Sequence, residues 1–229
     1  IPIYNESQNI KKLVTEIYIS LQRYKKFELI IVNDASTDGT IEMIKELQKS
    51  FNLVLFNNPN NRGQSYSITK GIKESNFNVI VTIDGDGQNN PMDIPDLLET
   101  FLKNKNISLV GGIRKNRKDS FLKIISSRLA NKIRSKILND QCEDTGCSLK
   151  VFDRKIFLNF PYFNGIHRFL PALFKGYGYK CYYVHVDHRA REKGFSKYGT
   201  FDRLYRGVID IIKVKKIIKK NHKYKKQML

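Results

Sequence analysis

The chain has 229 residues, 41% of them hydrophobic, enough for one α/β domain with a full core and an appendage. Its 41 Lys and Arg against 22 Asp and Glu leave a formal net charge of +19, more than solubility requires, so a polyanionic partner is expected: nucleic acid, anionic lipid or a phosphorylated substrate. No apolar run approaches the roughly 20 residues of a membrane-spanning helix, no signal peptide is visible, and three cysteines (Cys142, Cys147, Cys181) without metal-ligand spacing argue against a disulfide scaffold and for reduced thiols in a cytosolic compartment.

The chain opens on Ile1, Pro2, Ile3, Tyr4, Asn5 and Glu6 without an initiator Met, and reads as a first strand cut short at a truncated N-terminus. Residues 7–24 place Ile10, Leu13, Val14, Ile17 and Leu21 at helical spacing, which predicts a helix covering a sheet. A buried strand over 27–32 ends in the polar loop Asn33-Asp34-Ala35-Ser36-Thr37-Asp38-Gly39-Thr40, and a helix follows to about residue 50. Asp34 at the strand's end can accept hydrogen bonds from a base or ribose, while Asp38 can cap the helix. A third strand over 53–56, a polar loop over 57–62 and a helix over 63–75 lead to the central stretch.

That stretch, 79–91, reads VIVTIDGDGQNNP. Val79, Ile80, Val81, Thr82 and Ile83 make an apolar run of the kind found in a central parallel strand covered on both faces. Asp84, Asp86 and Gln88 crowd onto the turn behind it, freed from regular strand geometry by Gly85 and Gly87. Such hard oxygen donors suit a divalent cation that keeps places for substrate phosphates. A helix over 91–103 and a strand over 107–112 complete an alternation that predicts a parallel sheet wrapped on both faces, a nucleotide-binding half.

Beyond Gly112 the character changes. Residues 113–136 hold nine basic side chains and one acid, Asp119, with Phe121, Ile125, Leu129, Ile133 and Ile137 at four-residue spacing. Residues 201–226 repeat the pattern, with Leu204, Val208, Ile209, Ile212, Val214 and Ile218 interleaved with Arg and Lys. Helices of this kind lie in a membrane interface, each basic residue adding roughly 1 kcal/mol on anionic lipid. Between them, Asp144-Thr145-Gly146-Cys147 precedes a strand over 148–152, 165–170 opens a helix at Gly165, His167 and Arg168, 182–186 is a further strand, and the basic, glycine-hinged segment Arg191 to Tyr198 reads as a mobile loop able to close on phosphates.

Five motifs in this order, Pro2-x-Tyr4-Asn5-Glu6, the 33–40 loop, Asp84-Gly85-Asp86-Gly87-Gln88, Asp144-Thr145-Gly146 and the 191–198 loop, together resemble the family 2 inverting glycosyltransferases, within them the polyprenyl-phosphate sugar transferases similar to dolichyl-phosphate mannose synthase. The resemblance implies a GT-A-type, mostly parallel sheet with helices on both faces over residues 1–200, interrupted by an inserted basic amphipathic helix at 113–138 and followed by a C-terminal basic amphipathic helix at 201–229. It implies that Pro2, Tyr4, Glu6 and Asp34 contact the nucleotide and that Asp84, Asp86 and Gln88 hold Mg2+ or Mn2+ on the diphosphate. Basic side chains take up the phosphates; Arg114, Arg117, Arg128, Arg191 and Lys197 are the candidates around the acceptor path. The chain departs from the family at Asn33, where an acid is usual, and the hydrophobic tail of many relatives does not appear in it, which makes the C-terminal basic helix the expected anchor and leaves open a membrane-protein partner or a C-terminal truncation.

Transfer of a sugar needs a nucleophile in line with the anomeric carbon and a stabilised leaving diphosphate. A phosphomonoester, with its second pKa near ~6, is already mostly dianionic at neutral pH and needs cations rather than a general base. The expected reaction is therefore transfer from a nucleotide sugar such as GDP-mannose or a UDP-hexose to polyprenyl phosphate, on the cytoplasmic face of an anionic membrane, with Asp84, Asp86, Arg114, Asp144 and Arg191 as the catalytic set. A hydroxyl acceptor would instead require a placed base, for which Asp144 and His167 are the candidates. A nucleic-acid-binding module is the rival from another class. It predicts basic residues among stacking aromatics, whereas here the excess charge lies on helices with apolar faces.

Overall fold

The computed structural model describes residues 1–115, 121–190 and 200–227, with side chains described outside 121–129, 200–206 and 224–227. In chain order the elements are β1 (Pro2–Ile3), α1 (Ile10–Ser20), β2 (Leu29–Asn33), α2 (Thr40–Leu47), β3 (Leu53–Asn57), α3 (Gln64–Glu74), β4 (Val79–Thr82), α4 (Ile94–Lys103), β5 (Ile107–Arg114), α5 (Phe121–Leu138), β6 (Lys150–Asp153), α6 (Arg154–Leu158), α7 (Leu170–Gly176), β7 (Lys180–Val186) and α8 (Thr200–Gln227). Short 3-10 turns at Pro91–Asp93 and Ile166–Arg168 precede α4 and α7.

The strands form two sheets, β1-β2-β3 and β4-β6-β5-β7. The first is parallel throughout, as the alternation predicts, with Leu29 to Asn33 registered on Leu53 to Asn57. At β4 the expectation of parallel neighbours is corrected: β4 pairs antiparallel with β6, which also pairs antiparallel with β5, while β7 runs parallel to β5. The returning strand fits there because Phe152 is wholly buried between Ile80 and Leu109, its register partners on either side. A period of two then sorts the sheet faces. Val79, Val81, Val110 and Val151 face the core under α1, α2 and α4. Ile80, Leu109 and Phe152 face a second core built on Phe157, Phe160 and Phe174, to which α5 adds Leu138 and α8 adds Val214. An apolar cleft of about 380 Å³ runs along the facing edges of the two sheets, lined by Val32 and Ile80 among others.

The two basic helices form, but their faces are not sorted as a simple apolar and basic pair. On α5, Ile133 and Ile137 are exposed, while Arg134 is buried and bonded to the buried Asp140 and to the carbonyl of Cys142. On α8, Val214 is fully buried and Ile211, Ile217 and Ile218 pack on the second core, whereas Val208, Ile209 and Ile212 stay exposed. The helix thus carries two apolar stripes, one of them committed to the domain. Gly176 at the end of α7 lets Ile218 approach; a Cβ there would lie 2.5 Å from its side chain. All three cysteines are free thiols, and burial pushes Cys147 to about 11 and Cys181 to about 12. None is a nucleophile at neutral pH.

Candidate active site

The loops behind β1 and β2 are stitched together by the residues of two motifs. Asn5, at φ +54°, donates its N–H to Ser36 Oγ and accepts from the Thr37 N–H at 2.8 Å. The Glu6 N–H donates to Thr40 Oγ1. Asp38 accepts from the N–H groups of Thr40 and Ser7. Burial works against the Asp38 charge, but these hydrogen bonds outweigh it and hold the carboxyl below its usual range. The N-cap position of α2 is Gly39, which has no side chain to cap with; Asp38, one residue earlier, accepts from the first N–H of the helix.

Asp34, only 4% exposed, turns inward from the end of β2. Its Oδ1 accepts from Asn58 Nδ2 at 2.7 Å and the Arg62 N–H at 2.9 Å, and its Oδ2 from the Gly63 N–H at 2.8 Å. In this arrangement the carboxylate shapes the loop that leads into α3. Asn33 is likewise occupied: its Nδ2 donates to Asn57 across the β2–β3 ladder, and its Oδ1 accepts from the Ser36 N–H. The amide thus does structural work that an acid at that position would do differently.

Asp84 emerges just past β4, beside the end of β1. Gly85 is required by that proximity, since a Cβ would meet the Ile3 side chain at 2.6 Å; Gly87 is required by its backbone, at φ +72°. Two glycines that look alike in sequence therefore answer different demands. The turn is braced from both sides. Ser148, before β6, accepts from the Asp84 N–H and donates to Asn89 Oδ1. Beyond β7, Arg189 donates its N–H to Gln88 O and its guanidinium to Asn90 Oδ1 and Glu16 Oε2. The Asp84 carboxylate itself accepts from Gln64 Nε2, the first residue of α3, at 2.6 Å.

The electrostatics single out one carboxyl of this turn. Asp84 is raised to about 6, by burial first and by the charge of Asp86 second, against the opposing pull of Lys150 and Arg114. Two carboxylates that repel each other at the end of a strand, with the amide oxygen of Gln88 two residues on, can together accept a hard divalent cation whose charge relieves the repulsion. Among the described residues, no group of three or more His, Cys, Asp or Glu side chains is placed to hold a metal ion, so a cation here would depend on these two carboxylates, the amide oxygen and the oxygens of a bound diphosphate. Arg114, at the end of β5, grips Asp144 through two nitrogens at 2.7 and 2.8 Å. Asp144 is therefore held as the partner of an arginine, a poor arrangement for a general base.

The family model for glycosyl transferase family 2 matches residues 1–160, a span that contains every one of these strand-end elements up to Asp144. The chain belongs to glycosyl transferase family 2. It is 35% identical over 220 residues to the dodecaprenyl-phosphate galacturonate synthase of Rhizobium johnstonii, covering 93% of this chain and 64% of that protein. It is 30% identical over 202 residues to the undecaprenyl-phosphate 4-deoxy-4-formamido-L-arabinose transferase of Aeromonas hydrophila, covering 87% of this chain and 61% of the relative. The chain thus spans under two thirds of the length of these curated relatives. Among solved structures, the glucosyl-3-phosphoglycerate synthase of Mycobacterium tuberculosis with Mn2+, UDP-glucose and phosphoglyceric acid superposes with a TM-score of 0.69 at 15% identity, over 94% of this chain and 78% of that one. The mannosyl-3-phosphoglycerate synthase of Rubrobacter xylanophilus gives 0.66 at 13%, over 92% and 70%. At these identities the likeness is one of fold.

In this family 2 chain Asp34 and Asp84 follow β2 and β4 and Arg114 ends β5; Arg114 pairs with Asp144 and acts with Asp86 on Asp84, while the Pro2 carbonyl lies against Gly85. Arg117, Arg191 and Lys197 lie outside the described residues, as does the whole 191–198 loop, and of Arg128 only the backbone is described. Sequence reasoning missed Gln64, Ser148, Arg189 and above all Lys150. Lys150 is 3% exposed, its ammonium bonded to the carbonyls of Cys147 and Thr145 while its charge acts on Asp84. A lone lysine inside an apolar strand was the available signal, since a buried lysine is rare without a partner. His167, the alternative base, is lowered to about 3 by burial first and by Arg168 and Lys150 after it, which leaves it neutral and weakly basic.

Proposed function

We propose that the chain transfers a sugar from a nucleotide-sugar donor to the phosphate of a polyprenyl phosphate, with inversion and with Mg2+ or Mn2+ at Asp84, Asp86 and Gln88. The observation that carries this reading is the repelling Asp84 and Asp86 pair, set at the strand ends beside Arg114 and Lys150. The names of the two bacterial relatives, both polyprenyl-phosphate sugar transferases, support the acceptor class.

When bound, the cation supplies positive charge to the leaving diphosphate. The chain's own residues do the remainder. Pro2, Tyr4, Glu6 and the loop that Asp34 orders hold the nucleotide. Arg114, fixed in direction by Asp144, presents its guanidinium beside the carboxylate turn. Arg117, Arg128, Arg191 and Lys197 add positive charge for the acceptor phosphate, which attacks as a dianion and needs no base. The absence of a base requirement agrees with the state of the two candidates, since Asp144 is gripped by an arginine and His167 is too weak a base to draw a hydroxyl proton efficiently.

The reading divides the chain into a catalytic unit over 1–200 and a basic helix over 201–229. Its natural setting is an anionic bilayer surface on the cytoplasmic side, with a membrane protein as a further partner. The exposed Ile133 and Ile137 of α5 and Val208, Ile209 and Ile212 of α8 supply the apolar contact, and α5 packs on α8. Among the described residues no helix is long and apolar enough to cross a membrane. A donor panel decides the chemistry: nucleoside diphosphate release is measured from GDP- and UDP-sugars with undecaprenyl phosphate and Mn2+. One or more donors should respond to the lipid; release driven only by a soluble sugar acceptor overturns the lipid reading.

A further inference from the structure

The loop between α6 and α7 is tied to α3 by a serine and a histidine that the transfer chemistry leaves unused. Ser65, the second residue of α3 and 1% exposed, accepts from the Gly165 N–H at 2.7 Å, and its hydroxyl lies 2.7 Å from His167 Nδ1. One arrangement that satisfies all three groups has Gly165 donating to Oγ, the Ser65 hydroxyl donating to Nδ1 and the imidazole proton on Nε2. The next residue on each side of this contact is engaged in turn. Gln64 donates to Asp84, while Arg168 donates to Asp210 of α8 at 2.7 Å. Gly165, at φ +106°, has no room for a side chain, since a Cβ would lie 2.7 Å from Asp210 and 3.0 Å from Arg168.

We infer that Ser65 and His167 form a positioning couple that fixes the 165–168 turn on the first turn of α3, and so holds Gln64 on Asp84 and α8 against the catalytic unit. The inference rests on the proposed transfer reaction only for its kinetic consequence. The couple contacts no reacting atom; it sets where Asp84 is held. Misplacing a catalytic carboxylate by a fraction of an ångström acts on the chemical step more than on donor affinity. Burial first, then the charges of Arg168 within the turn and Lys150 from β6, keep the ring neutral, so the contact survives across the working pH range.

The test has two arms on the full chain. In the first, imidazole 15N shifts report the tautomer. His167 in the unsubstituted protein should show Nδ1 as a hydrogen-bonded acceptor and Nε2 protonated, and Ser65→Ala should lose that signature. In the second, kcat and the donor KM are measured for Ser65→Ala, His167→Leu and His167→Asn, the last keeping an acceptor near the position of Nδ1. Ser65→Ala and His167→Leu should lower kcat about ten-fold with donor KM within about two-fold, and His167→Asn should recover most of the loss. An unchanged tautomer in Ser65→Ala overturns the couple, as does a kcat that stays at the unsubstituted value or a matched loss in His167→Asn and His167→Leu. Failure of the transfer reading looks different: no donor turns over even in the unsubstituted chain, and the 15N arm still decides the contact.

Discussion

At the scale of single residues, the site is a balance of buried charge. Asp84 and Asp86 repel, Lys150 and Arg114 compensate in part, and the remainder shows as the raised Asp84 carboxyl. Asp86→Asn removes a hard anionic ligand without changing shape. It should lower metal-dependent transfer by at least about 100-fold while leaving the melting temperature equal or higher, as read by diphosphate release and circular dichroism. The same balance fixes a pH dependence. Asp84 binds its proton more tightly in the fold, at about 6 against an ordinary 3.8, so the cost of ionising it is absent below about pH 3.8, grows through the interval, and is complete above about pH 6. The contribution of this group to metal-free stability therefore declines as pH rises through that window. Added Mn2+ should raise the melting temperature by several degrees at about pH 7.5 and by little at about pH 5. An equal shift at both pH values would remove Asp84 from the metal site. Asp84, Asp86 and Gln88 could be named from sequence as a candidate trio because three hard oxygen donors crowd onto a glycine turn behind an apolar run. Lys150 was not, because its relevance depends on a strand returning antiparallel to β4.

At the scale of elements, the strands and most helices follow from apolar periodicity, and their ends move by a few residues where local hydrogen bonds intervene. The predicted helix over 7–24 shortens to Ile10–Ser20 because Glu6 and Asn9 first form a turn, the Asn9 and Ile10 N–H groups donating to Glu6 O. At α2 the N-cap falls on Gly39, and Asp38 reaches the first N–H of the helix from one residue earlier, a contact that depends only on neighbours in sequence. The burial of α5 and α8 was not legible in the same way. An isoleucine stripe looks the same whether it faces a core or a bilayer, and only the position of Phe174, Leu138 and Val214 in one cluster separates the two. Val214→Asp places a charge where the side chain is fully buried and should destabilise the protein by about 3 kcal/mol or more in urea melts. Arg134→Met should also be costly, by about 3–5 kcal/mol, because Asp140 stays buried without its partner. Loss of under ~1 kcal/mol in the second case would mean that water reaches Asp140.

At the scale of the whole molecule, the net charge of +19 and the exposed stripe on α5 and α8 point the same way. Ile209→Asp combined with Ile212→Asp, both at exposed positions, should leave the melting temperature within a few degrees. Binding to vesicles rich in anionic lipid should weaken at least about ten-fold by co-sedimentation. Binding that is unaffected by these changes but lost in high salt would assign the surface to charge alone. What the sequence by itself determined is the chemistry that neighbours in sequence can express: apolar runs that must be buried, a glycine turn that gathers two carboxylates and an amide, and helix starts set by Asp and Asn. Tertiary structure alone decided which of those groups meet. Residues 64, 84, 148 and 189 come from four separate segments, and their convergence on one turn follows from β6 inserting between β4 and β5 and from β7 closing alongside. Strand order is set by how large side chains such as Phe152 pack across the sheet, a long-range energy that no local pattern carries.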